Sequence, residues 1–287
     1  FDRVSDSLVR QLHLERKDGS SWVFCGKTIC VSPSAFVLSN QKALESLEHV
    51  PIAPDRLKLD DSPVTEEERS AYRSAVGSLN YLTLWTRGDF QAAVSFAAQR
   101  TTKACVRDLK VINKLIDEVR STSEVQLTFR RGVVDISTAT MVAWGDSGFA
   151  NAEDSKSQCG VVLGLTNRPD DVIACQFQYC LPMEWRSATI KQVVQSTLSA
   201  ESYAVSECTE SAQLLQFLLS EILSMVDGSP DLRAIEMGQV SVPVRALTDS
   251  ENLSHSIKRD AGAVQDKRLR IVIAMLRQTV HELSLRG

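Results

Sequence analysis

Residues 140–160 read TMVAWGDSGFANAEDSKSQCG, and no other stretch constrains the fold as tightly. An apolar run, Met141-Val142-Ala143-Trp144, leads into Asp146. Small and polar residues follow, and Gly160 then opens a second apolar run over 161–165. Two short apolar runs around a polar, Gly-containing connection predict a strand, a turn and a returning strand. A carboxylate where a strand meets its turn has a rigid backbone and a solvent-facing oxygen pair, which suits a hard divalent cation. The fold must therefore be asked whether other carboxylates converge on Asp146.

The rest of the chain divides into three stretches. Residues 1–62 predict short strands at 12–15, 22–25 and 28–31, with Lys17-Asp18-Gly19-Ser20 as a hairpin turn. A helical segment over 39–50 and a proline- and aspartate-rich linker over 51–63 follow. Residues 63–135 predict a small helical unit. Thr65 and Glu68 have the spacing of a capping box. Tyr72, Val76, Leu79 and Leu82 then recur on one helical face, a second helix follows at 89–99, and Leu109, Ile112, Ile116 and Val119 stripe a third. Arg100, Lys103, Arg107, Lys110 and Lys114 lie on its polar side, as a solvated face or a phosphate-contacting one.

Residues 136–287 predict an α/β unit. Strands are expected at 140–145, 161–165, 172–177 and 179–186, after an earlier one at 125–129. A long helix over 200–226 follows, with Tyr203, Leu214, Leu215, Leu218, Ile222 and Met225 as its apolar face. A strand over 240–248 ends at Asp249, and helices over 251–258 and 267–283 close the chain. Three acids then hold comparable positions: Asp146 after the first strand, Glu201 in the first turn of the long helix, and Asp249 after the late strand. Neighbouring strands under a packed helix would bring them to one end of a sheet, where carboxylates usually need cations between them.

The net charge of -4 excludes a globally basic nucleic-acid-binding surface, so contact with a polyanion would need local patches. No apolar run reaches the roughly 20 residues of a membrane helix. Seven cysteines without a CxxC pair, and no signal-peptide pattern after Phe1, predict reduced thiols in the cytoplasm or nucleus and a protein that is not secreted. A chain opening on Phe1 reads as a fragment or a processed product.

Several blocks together carry a resemblance. Tyr72-Arg73-Ser74-Ala75-Val76-Gly77-Ser78-Leu79-Asn80-Tyr81-Leu82 resembles a segment of copia-type retrotransposon polyproteins downstream of the reverse-transcriptase active site. Thr86-Arg87-Gly88-Asp89 resembles the TRPD that follows there, with Gly88 in place of proline. Asp146-Ser147-Gly148-Phe149-Ala150-Asn151 with Lys156-Ser157-Gln158-Cys159-Gly160 resembles the opening of the ribonuclease H region. Trp185-Arg186-Ser187 with Lys191-Gln192, Ser196-Thr197-Leu198-Ser199-Ala200-Glu201, Thr248-Asp249-Ser250 and Lys267-Arg268-Leu269-Arg270-Ile271 follow in the family's order.

The resemblance implies a β-rich end of the reverse-transcriptase region with a linker (1–62), a thumb- or connection-like helical region (63–135) and a ribonuclease H-like mixed five-stranded sheet flanked by helices (136–287). It implies Asp146, Glu201 and Asp249 as metal-binding carboxylates for two Mg²⁺ or Mn²⁺ ions. The reaction implied is endonucleolytic hydrolysis of RNA in RNA–DNA hybrids. The implied partners are such a hybrid or another nucleic acid, touched by Lys156, Lys267, Arg268 and Arg270, and an upstream reverse-transcriptase portion or a larger complex. The polymerase aspartates would lie upstream of Phe1. The family's fourth acid falls at Val272, or at Arg270 with a different gap, and neither binds a cation; Asp266 and Glu251 are the candidate substitutes. The alternative expectation is a degenerate or domesticated nucleic-acid-binding or structural subunit. His255, six residues after Asp249, reads as an ordinary polar helix residue rather than a proton donor.

Overall fold

The computed structural model describes residues 20–176, 178–227, 242–258 and 264–286. The expected strand at 12–15 and the turn at 17–19 lie outside them. The described residues form a mixed α/β architecture with two four-stranded sheets and eight helices. The first sheet runs β1 (Ser21–Phe24), β2 (Lys27–Val31), β3 (Ala35–Ser39) and β4 (Leu127–Arg130), all antiparallel. Its first hairpin turns at Cys25 and Gly26, with φ of 48° and 75°. Residues 125–129 were expected to lead into the later sheet. Instead β4 pairs with β3, Ala35 facing Arg130, so the chain returns to its start before crossing over.

A helical layer follows, built from α1 (Gln41–Glu45), α2 (Glu66–Thr83), α3 (Gln91–Gln99) and α4 (Val106–Ser121). The capping box forms: Glu68 N–H donates to Thr65 Oγ1 (3.2 Å), and Thr65 N–H donates to Glu68 Oε2 (2.8 Å). Tyr72, Leu79 and Leu82 on α2 pack against Leu109, Ile112 and Ile116 on α4 in one buried cluster. The Tyr72 hydroxyl donates to the Ala97 carbonyl at 2.8 Å, tying α2 to α3. The cations of the polar face are engaged internally: Arg107 with Asp61, Lys110 with Asp60, Lys114 with Glu118, Arg100 with Glu153 and Lys103 with Asp154.

Arg87 is the largest of the fully buried side chains, 1% exposed. Its guanidinium donates to Asp89 Oδ2 (2.8 Å), Thr122 Oγ1 (2.7 Å), and the Val119 and Thr122 carbonyls, and it lies over the Phe90 ring. These bonds close the otherwise unsatisfied end of α4. Beside it, a Cβ on Gly88 would meet the Trp185 ring at 2.6 Å. A side chain at this position would therefore require the Trp185 ring to shift. The Trp185 indole N–H donates to the Thr83 carbonyl (2.7 Å), so this tryptophan docks the second sheet onto α2.

The second sheet has the order β7-β6-β5-β8: β5 (Thr140–Gly148), β6 (Gln158–Thr166), β7 (Leu181–Thr189) and β8 (Val244–Leu247). β5, β6 and β7 are antiparallel neighbours, and β8 runs parallel to β5. It has four strands among the described residues, against the five expected. In place of one expected strand, 172–177, the chain has the end of the short helix α5 (Pro169–Ile173) and a turn at 174–175; Pro169 in the helix's first turn and Asp170 and Asp171 favour it. The helices α6 (Thr197–Asp227), α7 (Glu251–Lys258) and α8 (Lys267–Arg286) complete the unit. No helix among the described residues is long and apolar enough to cross a membrane.

The buried face of α6 differs in part from the one expected, for Tyr203 and Leu215 pack half-buried against the sheet cluster. Leu214, Leu218 and Ile222 are 72%, 50% and 44% exposed, while Ala200, Ala204, Cys208 and Ala212 meet the sheet. Small side chains win because the helix lies close on β5: a Cβ on Gly145 would approach the Val205 Cα within 3.1 Å.

Arg87→Ala would leave two carbonyls and a hydroxyl without their donor, and is expected to cost about 2–4 kcal/mol. Arg87→Lys should recover only part of this, because an ammonium cannot reproduce the planar fork. Urea unfolding of the three proteins measures both.

Candidate functional site

The acid site begins inside β5 rather than after it. Asp146 pairs with Gly160 across the β5–β6 ladder, and the strand continues to Gly148. On its other side, β8 pairs with β5 in parallel register, Trp144 facing Leu247. Two residues further along each chain stand Asp146 and Asp249, so the register carries the second carboxylate to the first. Asp249 is then followed by Ser250, whose hydroxyl accepts from Leu253 N–H (3.3 Å) at the start of α7.

Glu201 arrives from above, on the first turns of α6. Gly145 under Ala204 lets that helix descend until the three acids offer oxygens all within 4.8 Å of one another. Asp146 and Asp249 are exposed, but Glu201 is only 6% exposed. Its Oε1 accepts from the Ser147 hydroxyl at 2.8 Å, whereas its Oε2 is buried without a partner. Ser147 N–H also donates to Asp146 Oδ1 at 2.7 Å, so one serine braces two of the three acids.

Burial pushes the Glu201 carboxyl above the usual range. The Ser147 hydrogen bond opposes this, and the charges of Asp146 and Asp249 add to it. No ion pair among the described residues reaches any of the three acids. The arrangement is thus a concentrated negative charge with one desolvated member, able to accept a hard cation or a proton.

The other expected site residues lie elsewhere. Val272 is half-buried against the Val205, Leu253 and Leu269 cluster and offers no oxygen. Asp266 Oδ1 caps α8, accepting from Arg268 N–H at 2.8 Å, and Glu251 sits in the first turn of α7; neither joins the group of three. Arg270 is engaged with the Val264 carbonyl (2.8 Å). Lys267 and Arg268 are exposed at the start of α8, Lys156 is exposed in the β5–β6 connection, and His255 is an exposed residue of α7. Reasoning from sequence missed the bond of Ser147 to Glu201, which spans 54 residues, and the close approach over Gly145. It also missed an open cleft of about 610 Å³ beside α6, lined by Arg186, Lys191, Glu207, Leu214 and Met275. Arg186 there pairs with Glu207 at 3.1 Å.

No protein-family profile matches the chain. Among curated proteins it is similar to the secreted RxLR effector protein 161 of Plasmopara viticola, with 29% identity over 142 residues, 49% of this chain and 88% of that protein. That likeness corrects three expectations. The chain is not assigned as a hybrid-cleaving ribonuclease H module of a copia-type polyprotein, nor as an inactive subunit derived from one, because its named relative is an effector. The expectation of an intracellular, non-secreted protein falls on the same finding. The physical reasons are general: motifs that place carboxylates specify a scaffold more firmly than a reaction, and thiol counts mark compartment poorly. All seven cysteines are free, yet Cys159 and Cys208 are buried and their thiols are pushed up to about 12, so they are chemically inert wherever the protein resides.

The raised Glu201 carboxyl fixes a sign. Its contribution to stability is fully present below the unfolded glutamate value of about 4.3 and is lost as pH rises through the higher folded value. In chelator, Glu201→Gln is therefore expected to melt at a higher temperature than wild type at pH 7, with the gap closing in acid. Calorimetric melting against pH checks it, and equal melting temperatures at both pH values would contradict it.

Proposed function

We propose that this chain is a divalent-cation-binding α/β protein. Asp146, Glu201 and Asp249 hold Mg²⁺ or Mn²⁺, and the ion engages a phosphate-bearing ligand, nucleic acid included. The observation that carries this reading is the buried, unpartnered Glu201 Oε2 beside two further carboxylates within 4.8 Å. Two unit charges at that separation repel by about 1 kcal/mol in water and about 3 kcal/mol at a protein's effective dielectric. A hard cation with oxygen ligands reverses the sign of that term. Three acids, with Val272 in the place of a fourth, support one ion rather than the expected two.

The scaffold in this proposal is ribonuclease H-like. The order β7-β6-β5-β8 with α6 across it supports that reading. The similarity to a secreted effector supports placing this chain among secreted proteins, with a ligand met outside the cell that makes it.

Titration calorimetry with MnCl₂ and MgCl₂ tests the reading. Wild type is expected to bind one ion, and Asp146→Asn to bind it at least about tenfold more weakly, a loss of about 1.4 kcal/mol. Fluorescence anisotropy with a labelled oligonucleotide should then show binding that needs the cation. Absence of cation binding by the wild-type chain overturns the proposal.

A further inference from the structure

The connection from β5 to β6, residues 149–157, follows Asp146 by only a few residues. It holds three non-glycine residues in the left-handed region: Ala150 (φ 50°), Asp154 (φ 54°) and Ser155 (φ 57°). Side chains with a Cβ adopt this region seldom, so such a path persists only where its surroundings determine it. Part of the support is local. Ala150 N–H donates to Ser157 Oγ (3.0 Å), and Gln158 N–H donates to Asn151 Oδ1 (3.2 Å).

The remainder comes from the end of α3, in the other half of the chain. Arg100 Nη1 donates to Glu153 Oε2 at 2.6 Å, and Lys103 Nζ donates to Asp154 Oδ1 at 2.6 Å. Glu153 N–H donates to Gln99 Oε1 (3.3 Å), and Gln99 Nε2 donates to Gln158 Oε1 (3.0 Å). Gln158, 6% exposed, passes the chain of bonds on to Ser95 Oγ (2.8 Å) and Ser187 Oγ (2.9 Å). Arg100 is itself braced from behind by Asp108, which caps α4 by accepting from Cys105 N–H (2.8 Å).

We propose that Arg100, with Gln99, is a positioning residue for the acid site: the helical layer grips the β5–β6 connection and thereby holds the end of β5 that presents Asp146 and Ser147. The path is short. Gln158, gripped by Gln99, faces Gly148 in the ladder, and Asp146 faces Gly160 two residues along. Were the connection to relax toward ordinary backbone angles, the last pairs of the ladder would open first, and with them Asp146 and Ser147, the serine that bonds both Asp146 and Glu201. The helical layer is then part of the site's machinery, although it contributes no oxygen to it. The cation readout rests on the reading under Proposed function; the order of the connection does not.

The experiment compares wild type with Arg100→Gln, Arg100→Lys and Arg107→Gln, the last breaking an ion pair of the same layer remote from the connection. Hydrogen exchange followed by mass spectrometry reads segment 146–158, and calorimetry reads Mn²⁺ affinity. Arg100→Gln is expected to speed exchange across this segment about tenfold and to weaken Mn²⁺ about three- to tenfold. Arg100→Lys should restore much of both, and Arg107→Gln should change neither. Should Arg100→Gln fail to fold, Glu153→Gln breaks the same contact from its half-buried partner. Unchanged exchange in a folded variant overturns the proposal. So does unchanged Mn²⁺ affinity, where wild type binds the ion. A wild type that binds no Mn²⁺ removes the cation reading alone, and the exchange result then decides this one.

Discussion

Desolvating one carboxylate beside two others is the constraint around which the second sheet is arranged. Glu201 cannot be lowered onto Asp146 unless α6 lies close to β5, and closeness demands Gly145 below and Ala200 and Ala204 above. The same closeness sends the larger Leu214 and Leu218 to the outer flank. The parallel partner β8 must then arrive in register to bring Asp249 alongside. Each of these features is unremarkable as packing. Their joint product is a charge concentration that packing alone would disfavour, since repulsion and loss of hydration both oppose it.

The helical layer solves a different problem with the same economy of contacts. Arg87 is buried where a cation is costly, but it satisfies four acceptors at the junction of α2, α3 and α4. A guanidinium suits the place because its donors lie in one plane and its face can rest on Phe90. Gly88 next to it leaves room for Trp185, which reaches from β7 to the end of α2. The residues that set this junction are thus also the residues that seat one half of the chain on the other.

What could be read from sequence follows the range of the interactions concerned. The Thr65–Glu68 box, the stripe of α4 and the β5–β6 hairpin are local patterns, and each was legible. The gathering of Asp146, Glu201 and Asp249 was legible in outline from their places at two strand ends and a helix start, and more firmly as an implication of resemblance, since separations of 55 and 48 residues carry no geometry of their own. β4 was misplaced because strand pairing is a long-range choice: residues 127–130 would suit either sheet, and only the return to β3 decides. The apolar face of α6 was misread because large side chains were taken as the buried ones, while a close helix–sheet contact selects alanine and cysteine. The bond of Ser147 to Glu201 was not legible, since nothing near the serine in the chain announces it.

The distribution of cations completes the argument about the site. Lysine and arginine total 32, so a local counter-charge for three acids was available in principle. The structure places these side chains otherwise. Arg100 and Lys103 hold the β5–β6 connection, Arg107 and Lys110 hold the linker before α2, Arg186 pairs with Glu207, and Arg87 closes the helical layer. Among the described residues none is paired with Asp146, Glu201 or Asp249. The fold thus neutralises acids on its periphery yet sets no protein cation, among the described residues, against a cluster with one buried carboxylate, which is consistent with the proposed cation. A proton on Glu201, whose carboxyl burial raises above the usual range, relieves that charge in acid; in the proposed reading a divalent ion would do so near neutrality by serving all three oxygen donors at once.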